Sequence, residues 1–461
     1  MRHRLGAVSR EPFPEVVVPR QFPLLRGTGL PRDRRRLRST TAVFTTMSAL
    51  AATCLIASPS SAEPFDAAPC ALARTDAHHS EGVDTWNAAY PRPTRALDAV
   101  MVFLSFPDSP PQTTPAELAA DHFPATSHFF ERASYGRFSL RAHPMGHWLR
   151  MPKPSTAYAI QRDWRAADRA AYLRDALAVT DPEVDFSQYD IVYFVADPDA
   201  PGVDSDATKV VNLETPLQAD GADIRRVVTV FENHPPDRLV LAHETGHVFD
   251  LPDLYHRPVD GKGDWDTYVG DWDLMGSQFG MAPDLFAWHK WKLGWLEPRQ
   301  VVCVRGLGAR PTRLTLEPLA AGAGVPVPVG AAGAPGFSGT PGTVPGFGLG
   351  NGTKLAVVPT GAESALAFEV RSPAGNDVQA CREGVLVYRV RSQTESGGGP
   401  MEVLDAHPGT EACWEESVYP PLADAPVGLG ESFTVPEDGV RVEVEGRTVS
   451  GAWTVKITTV G

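Results

Sequence analysis

The pattern of apolar and polar positions divides the first three-fifths of the chain into alternating segments of strand and helix character. Largely apolar runs of strand length occur at 96–106, 189–196 and 226–231, as expected for strands buried in a sheet. Residues 116–134 and 163–178 are rich in alanine and favour helices. Strands that alternate with helices predict an α/β domain with a twisted sheet.

Composition changes after residue 298, which we take as the end of an α/β domain that starts near residue 95. Residues 320–352 are mostly Gly, Ala, Pro and Val with almost no charge, which is typical of a loop or linker. Short segments of strand character occur at 365–371, 384–390, 431–435, 441–444 and 453–458. The sequence therefore predicts a β-rich C-terminal domain over 299–461, with the Gly/Pro/Ala-rich tract inserted at about 320–352.

Residues 238–249 are predicted to form a helix that carries His243, Glu244 and His247 in the spacing His-Glu-x-x-His. This spacing places both imidazoles one turn apart on one face of the helix, where they can bind one zinc ion. A carboxylate beside them can accept the proton of a water that zinc has made more acidic. We predict His243 and His247 as zinc ligands and Glu244 as the general base.

A third ligand is expected soon after this helix. Asp253 follows His247 by six residues, which is the spacing of the extended metzincin motif, and a carboxylate oxygen is an accepted zinc ligand. His256 is the alternative third ligand, although its spacing fits the motif less well. Met275 lies where metzincins carry a methionine turn beneath the metal; a core methionine is the alternative interpretation.

The segment between the motif and Met275 is rich in carboxylates and glycines. Four aspartates there could bind calcium, which prefers oxygen ligands, although a solvated acidic loop is the simpler interpretation: Asp264, Asp266, Asp271 and Asp273. Two tyrosines, Tyr255 and Tyr268, could stabilise an oxyanion or serve only in packing.

The N-terminus has the three parts of a secretory signal peptide. Arginines concentrate at 32–38, an apolar stretch follows at about 41–57, and small residues precede Ala62, which predicts export with cleavage after Ala62. We assign 1–62 to a signal peptide and leader, with Sec and twin-arginine export both open. Residues 63–94 form an N-terminal segment that could be a propeptide. A membrane anchor is the alternative, but the apolar run is short and interrupted by threonines.

Without this leader the chain is strongly acidic. The sequence has 42 Lys and Arg and 56 Asp and Glu, of which the leader contributes ten arginines and three acids. The remainder therefore carries 32 basic and 53 acidic side chains. Such a surface repels nucleic acid and anionic lipid. We expect an extracellular monomer with no nucleic-acid partner and no stable membrane insertion after signal removal.

Four cysteines remain after removal of the signal: Cys70, Cys303, Cys381 and Cys413. An even number of cysteines in an exported protein predicts two disulfides. Of the three pairings, we favour Cys381 with Cys413, because both lie in one C-terminal segment. Binding of zinc by Cys70 as a switch is a less favoured alternative.

These motifs and several further segments, in the same order, resemble secreted zinc metallopeptidases of the immune inhibitor A type. The segments lie at 102–108, 134–139, 148–152, 184–190, 243–255, 272–275, 287–295, 368–371 and 384–390. The resemblance covers most of residues 95–400 and is most specific at 243–255. It implies a metzincin-like zincin fold, secretion, one catalytic zinc, protein substrates and often calcium. The family has Gly where this chain has Asp250, a residue type that tolerates a left-handed backbone.

We therefore expect a secreted zinc endopeptidase that hydrolyses peptide bonds of extracellular proteins. We also expect the strand at 227–231 to offer its edge to an extended substrate. The main alternative is a non-catalytic secreted zinc protein that binds a partner through its C-terminal β domain. The presence of Glu244 argues against it, because a structural zinc needs no general base. An exopeptidase also fits the motif.

Overall fold

The computed structural model describes residues 70–237, 239–258, 262–304, 311–322 and 352–459. All of them belong to one compact unit, 62–461. The predicted signal peptide and leader, and nearly all of the Gly/Pro/Ala-rich tract, lie outside the described residues.

A five-stranded mixed sheet, with the order β2-β1-β3-β5-β4, supports the first region. Its strands are β1 (Ala96–Ser105), β2 (Ser139–Arg150), β3 (Ile191–Ala196), β4 (Lys209–Ala219) and β5 (Ala222–Val230). Strands β2, β1, β3 and β5 are parallel, whereas β4 runs antiparallel to β5 at the edge. The three predicted strands are confirmed as β1, β3 and β5. Strands β2 and β4 were not predicted, because they are largely solvent-facing and lack an apolar run.

The position of β5 corrects one prediction about the substrate edge. The strand at 227–231 was expected to present an edge, but β5 is paired on both sides, with β3 and with β4. The free edge of this sheet beside the candidate site is instead offered by β4.

The helices are α1 (Pro115–His122), α2 (Ala125–Ala133), α3 (Ala166–Thr180), α4 (Val240–Val248), α5 (Ala287–Lys292) and α6 (Pro420–Ala423). The single helix predicted at 116–134 is two helices, because Pro124 has no N–H with which to continue α1. Helix α5 is shorter than the pattern at 282–296 suggested. Phe286 is extended and gives its N–H to the Asp273 carboxylate, and Gly294 ends the segment at φ 84°.

The two faces of the mixed sheet bury alternate residues of β1, as the two-residue period of a strand requires. Leu97, Met101 and Phe103 pack in a core shared with α2 and α4, whereas Val100 and Val102 pack in a core shared with α3. Helix α4 is therefore held on one face of the sheet, next to the edge strand β4.

The second region is rich in strands, as predicted. Its strands are β6 (Val301–Cys303), β7 (Thr312–Leu316), β8 (Leu355–Pro359), β9 (Ser364–Arg371), β10 (Gly384–Arg391), β11 (Met401–Val403), β12 (Ser432–Val435), β13 (Val440–Arg447) and β14 (Trp453–Thr459). They form a sheet of order β11-β10-β9-β8-β6 and a sheet of order β12-β13-β14-β7. The coarse prediction, an α/β region followed by a β-rich region, is confirmed.

Strand β9 shows how the two regions are joined. Leu366, Phe368 and Val370 pack in the core shared with the four-stranded sheet, whereas Ala365 and Ala367 pack in the core that also contains α4. The five-stranded sheet of the β-rich region is therefore buried on both faces. The two regions share one continuous apolar interior at this sheet.

Two disulfides link the described cysteines. Cys381 pairs with Cys413, as favoured from the sequence, with a Cα–Cα distance of 6.1 Å, and Cys70 pairs with Cys303 at 5.6 Å. The second bond ties the start of the described chain to β6 and occupies the Cys70 sulfur. Both bonds are compatible with an extracellular protein.

None of the helices in the described ranges combines the length and the apolar character that a membrane crossing requires.

Candidate metal centre

The two histidines of α4 are oriented by main-chain carbonyls. His243 Nδ1 lies 2.9 Å from the Leu274 oxygen, and His247 Nδ1 lies 2.7 Å from the Leu251 oxygen. A carbonyl oxygen can only accept a hydrogen bond, so each Nδ1 carries a proton. In the neutral imidazoles, both Nε2 atoms are therefore left as lone-pair donors.

Asp253 faces these two nitrogens. Its Oδ1 lies 3.4 Å from His243 Nε2 and 3.0 Å from His247 Nε2, and the three ligand atoms lie within 4.8 Å of one another. This oxygen is buried and accepts no well-formed hydrogen bond. Three lone-pair atoms that face each other repel unless a proton or a cation lies between them. The two nitrogens and one oxygen therefore suit a divalent cation.

The charges at this centre are strongly coupled. Burial raises the pKa of Asp253, but His247 and His243 outweigh burial and hold the pKa well below its usual range. Burial lowers the pKa of His247, but Asp253, with help from Glu244 and the Leu251 carbonyl, raises the pKa to about 9. The half-buried Asp253 carboxylate thus favours a positive charge in its immediate surroundings.

Glu244 lies beside this group and is held by the edge strand. Its Oε2 accepts a hydrogen bond of 2.7 Å from the Val210 amide of β4. Burial raises the pKa of Glu244, and the neighbouring histidines oppose this effect. A carboxyl group with a raised pKa is better suited to accept a proton near neutral pH. The contact with Val210 was not visible in the sequence, because β4 was not predicted.

Met275 is fully buried and packs against Gly246 of α4. A Cβ atom added to Gly246 would lie 2.5 Å from Met275 Sδ and 3.2 Å from its Cε. Glycine is therefore required between the two histidines so that the helix can approach this buried thioether. The Met275 carbonyl also accepts a hydrogen bond of 2.9 Å from the Leu254 amide, next to Asp253.

The loop that carries Met275 is fixed from the β-rich region by Arg371 of β9. This fully buried guanidinium donates to the carbonyl oxygens of Trp272, Ala282 and Asp284 at 2.8 to 3.0 Å. Its charge is balanced by the Asp377 carboxylate at 2.8 Å. Sheet and loop are thus joined by a paired buried charge.

Asp250 adopts the left-handed conformation that was expected at the family's glycine position, with φ 64°. Its buried carboxylate also binds two residues of the N-terminal segment, Arg74 at 2.7 Å and His79 at 2.9 Å. The His79 ring stacks on His247 with centroids 5.7 Å apart. Sequence reasoning missed Arg74 and His79, because no motif connects them to Asp250, which follows them by 176 and 171 residues.

The remaining ligand and oxyanion candidates separate into two groups. Tyr255 lies in the cleft and stacks against His243 at 6.3 Å, and burial together with the nearby Asp253 carboxylate raises the pKa of Tyr255. His256 instead packs on the Tyr268 ring at 5.3 Å, and neither residue is among those that line the cleft. The structure brings Asp253, not the alternative His256, into the group with His243 and His247.

The four aspartates proposed for calcium have separate surroundings. Asp273 accepts hydrogen bonds from the Met275 and Phe286 amides, and Asp271 accepts them from the Met281 and Val418 amides. Asp264 is exposed, and burial raises the pKa of Asp266 to about 6. Within the described ranges these carboxylates do not gather into a metal-binding group. Calcium binding stays a prediction, and Asp271 and Asp273 have structural roles in the loop.

An open cleft of about 630 Å³ contains the candidate centre. One side is formed by the start of β4, with Lys209, Val210 and Asn212, and another by 276–279, directly after Met275. His78, His79 and Ser396 also contribute, so the N-terminal segment and the β-rich region both reach the cleft. The cleft is large enough for a short stretch of extended peptide.

No family model matches the chain, and no curated protein matches it either. The resemblance to immune inhibitor A type peptidases therefore stays a prediction from the sequence segments given above.

Proposed function

We propose that this protein is a secreted zinc endopeptidase with a metzincin-like catalytic region. The observation that carries the proposal is the convergence of two imidazole Nε2 atoms and one buried carboxylate oxygen next to Glu244. His243, His247 and Asp253 would hold the zinc. When bound, zinc supplies a Lewis acid that polarises a carbonyl group and makes water acidic near neutral pH.

The protein's own residues supply the proton transfers and the positioning. Glu244 accepts the proton of the attacking water and then delivers it to the leaving amine. Its Val210 contact fixes one carboxylate oxygen and leaves the other for this role. Tyr255 is placed to donate to the developing oxyanion of the substrate.

Substrate is proposed to bind along β4. This strand is at the edge of the sheet and lines the cleft, so its free amides and carbonyls can pair with an extended peptide. Main-chain pairing of this kind places a peptide bond in the middle of a chain over the centre, which favours endopeptidase over exopeptidase activity.

The proposal is tested by incubating the purified mature protein with casein, with and without 1,10-phenanthroline. We expect internal cleavage that stops with the chelator and returns when zinc is added. Mapping of the products by mass spectrometry distinguishes internal cleavage from removal of single terminal residues. A folded, zinc-loaded protein that leaves casein and a peptide library intact would contradict the proposal and favour the binding-protein alternative.

A further inference from the structure

Asp253, the third residue of the candidate centre, is held by a loop of the β-rich region. This loop, residues 392–400, connects β10 to β11 and reaches Asp253 across 143 positions of sequence. The two histidines, by contrast, are oriented by carbonyls of the α/β region.

Two consecutive residues of the 392–400 loop bind three polar groups of Asp253. Ser396 Oγ accepts a hydrogen bond of 2.8 Å from the Asp253 amide and donates one of 3.2 Å to Asp253 Oδ2. The Gly397 amide donates to the Asp253 carbonyl at 2.9 Å. One hydroxyl therefore links the main chain and the side chain of Asp253, which restricts rotation of the carboxylate. With Oδ2 bound, Oδ1 is the oxygen that faces the two Nε2 atoms.

The 392–400 loop is itself fixed in place. Gly397 and Gly399 have φ values of 75° and 82°, and a Cβ at Gly399 would lie 3.1 Å from the Tyr268 ring. The Glu395 carboxylate accepts a hydrogen bond from the His78 amide at 2.8 Å. The Ser392 carbonyl accepts hydrogen bonds from Thr75 Oγ1 and Ser80 Oγ, each at 2.6 Å, so the N-terminal segment also holds the loop.

We propose that Ser396 is a positioning residue that selects the oxygen presented by Asp253, and that the β-rich region thereby completes the metal centre. The inference rests on the proposed zinc site. A partner that holds a ligand in its binding orientation removes the cost of ordering that ligand on binding. Loss of such a partner typically weakens metal binding about 10–100-fold.

The test compares zinc affinities of apo proteins, measured by competition with a chromogenic chelator after folding is checked by circular dichroism. We expect Ser396→Ala to weaken zinc binding about 10–100-fold. Gln393→Ala, an exposed change in the same loop, should leave the affinity unchanged. Ser396→Thr and Ser396→Val have the same shape and differ only in the hydroxyl. Their comparison isolates the hydrogen bond even if Ser396→Ala does not fold, and the threonine variant should bind zinc more tightly.

Equal zinc affinities of the wild type and folded Ser396→Ala would overturn the positioning role, as would equal affinities of the threonine and valine variants. An equal loss in Gln393→Ala would also overturn it, because the effect would then belong to the loop in general. The proposed function fails in a different way. A wild-type protein that binds zinc but hydrolyses no peptide would contradict the peptidase and leave the comparison of affinities intact.

Discussion

The two histidines and the aspartate of the candidate centre are held in different ways. Each histidine Nδ1 donates to a carbonyl of the α/β region, from Leu274 or Leu251, within 31 residues along the chain. Asp253 depends on Ser396 and Gly397 of the β-rich region. Contacts within the α/β region therefore orient the two nitrogens, with Arg371 of β9 supporting the Leu274 loop from behind. The third candidate ligand, by contrast, is bound directly by the β-rich region. A metal centre built in this way couples full metal affinity to the docking of both regions.

A second set of remote contacts holds the turn between α4 and Asp253. Glu81 of the N-terminal segment is fully buried and binds His289 at 2.8 Å and Lys292 at 3.6 Å. Lys292 in turn donates to the Asp250 carbonyl at 2.7 Å. The N-terminal segment is thus part of the interior, and its removal would take away the Glu81 carboxylate that helps to balance the buried charges of His289 and Lys292.

The largest expected loss of stability comes from a change in the N-terminal segment, at Glu81. Glu81→Ala leaves His289 and Lys292 buried without their carboxylate, which should lower the free energy of unfolding by about 3–5 kcal/mol. Urea unfolding measures this loss. Asp76→Ala, an exposed acid of the same segment, is the control and should change little. A loss below about 1 kcal/mol for Glu81→Ala would show that the segment is not an integral part of the fold.

A change within α4, at Gly246, should alter the free energy of unfolding by a smaller amount, and the sign of the effect depends on Met275. Gly246→Ala improves helix propensity by about 1 kcal/mol, but its Cβ overlaps Met275 Sδ. We expect a net destabilisation of about 1–3 kcal/mol in the wild type. In a Met275→Ala background the same change should stabilise the protein. A Gly246→Ala effect that is the same in both backgrounds would contradict direct packing of Met275 on the helix.

Replacing Asp250 should change the free energy of unfolding by a smaller amount, because relief of backbone strain opposes the loss of an ion pair. Asp250→Gly relieves a left-handed conformation worth about 1–2 kcal/mol but removes the partner of Arg74 and His79. We expect the ion pair to outweigh the backbone term, so that the glycine variant is less stable. Asparagine also tolerates the left-handed backbone conformation. Asp250→Asn therefore loses only the negative charge, and this variant should also be less stable than the wild type. A glycine variant more stable than wild type would reverse this ranking.

A further effect is the pH dependence of stability that comes from His289. Burial lowers its pKa, but Glu81 and Asp273 outweigh burial and raise the pKa from 6.5 to about 9. A pKa raised on folding stabilises the protein fully below about pH 6.5, and this contribution is lost as the pH rises through about 9. Unfolding free energies measured from about pH 7 to 10 should therefore fall more steeply in the wild type than in His289→Gln. Equal slopes would contradict a charged, paired His289.

The sequence identified the residues that gather at α4 better than the contacts that support them. The His-Glu-x-x-His spacing, Asp253 and Met275 were identified because they lie within 33 residues of one another and follow helical and motif periodicity. Strand β4 was missed because an edge strand with a solvent-facing surface lacks the apolar run that identifies β1, β3 and β5.

The supports from remote segments could not be predicted for a different reason. Ser396 lies in a glycine-rich turn and His79 lies in a polar segment. Neither segment carries a motif that distinguishes it from an ordinary surface loop. The pairing of Arg74 with Asp250 likewise joins positions 176 apart, and a single sequence does not contain this information. Contacts of this length are set by the packing of whole regions.

The most direct test of the account is Glu244→Gln, compared with the wild type for both zinc content and peptide hydrolysis. Because Glu244 is proposed to move protons and is not one of the three candidate ligands, the variant should keep the wild-type zinc content. It should lose hydrolysis by about 10²–10⁴-fold. If the variant keeps its zinc and loses hydrolysis to this extent, the result would support a peptidase with Glu244 as its general base. Hydrolysis retained at the wild-type rate by a zinc-loaded Glu244→Gln protein would contradict the central claim.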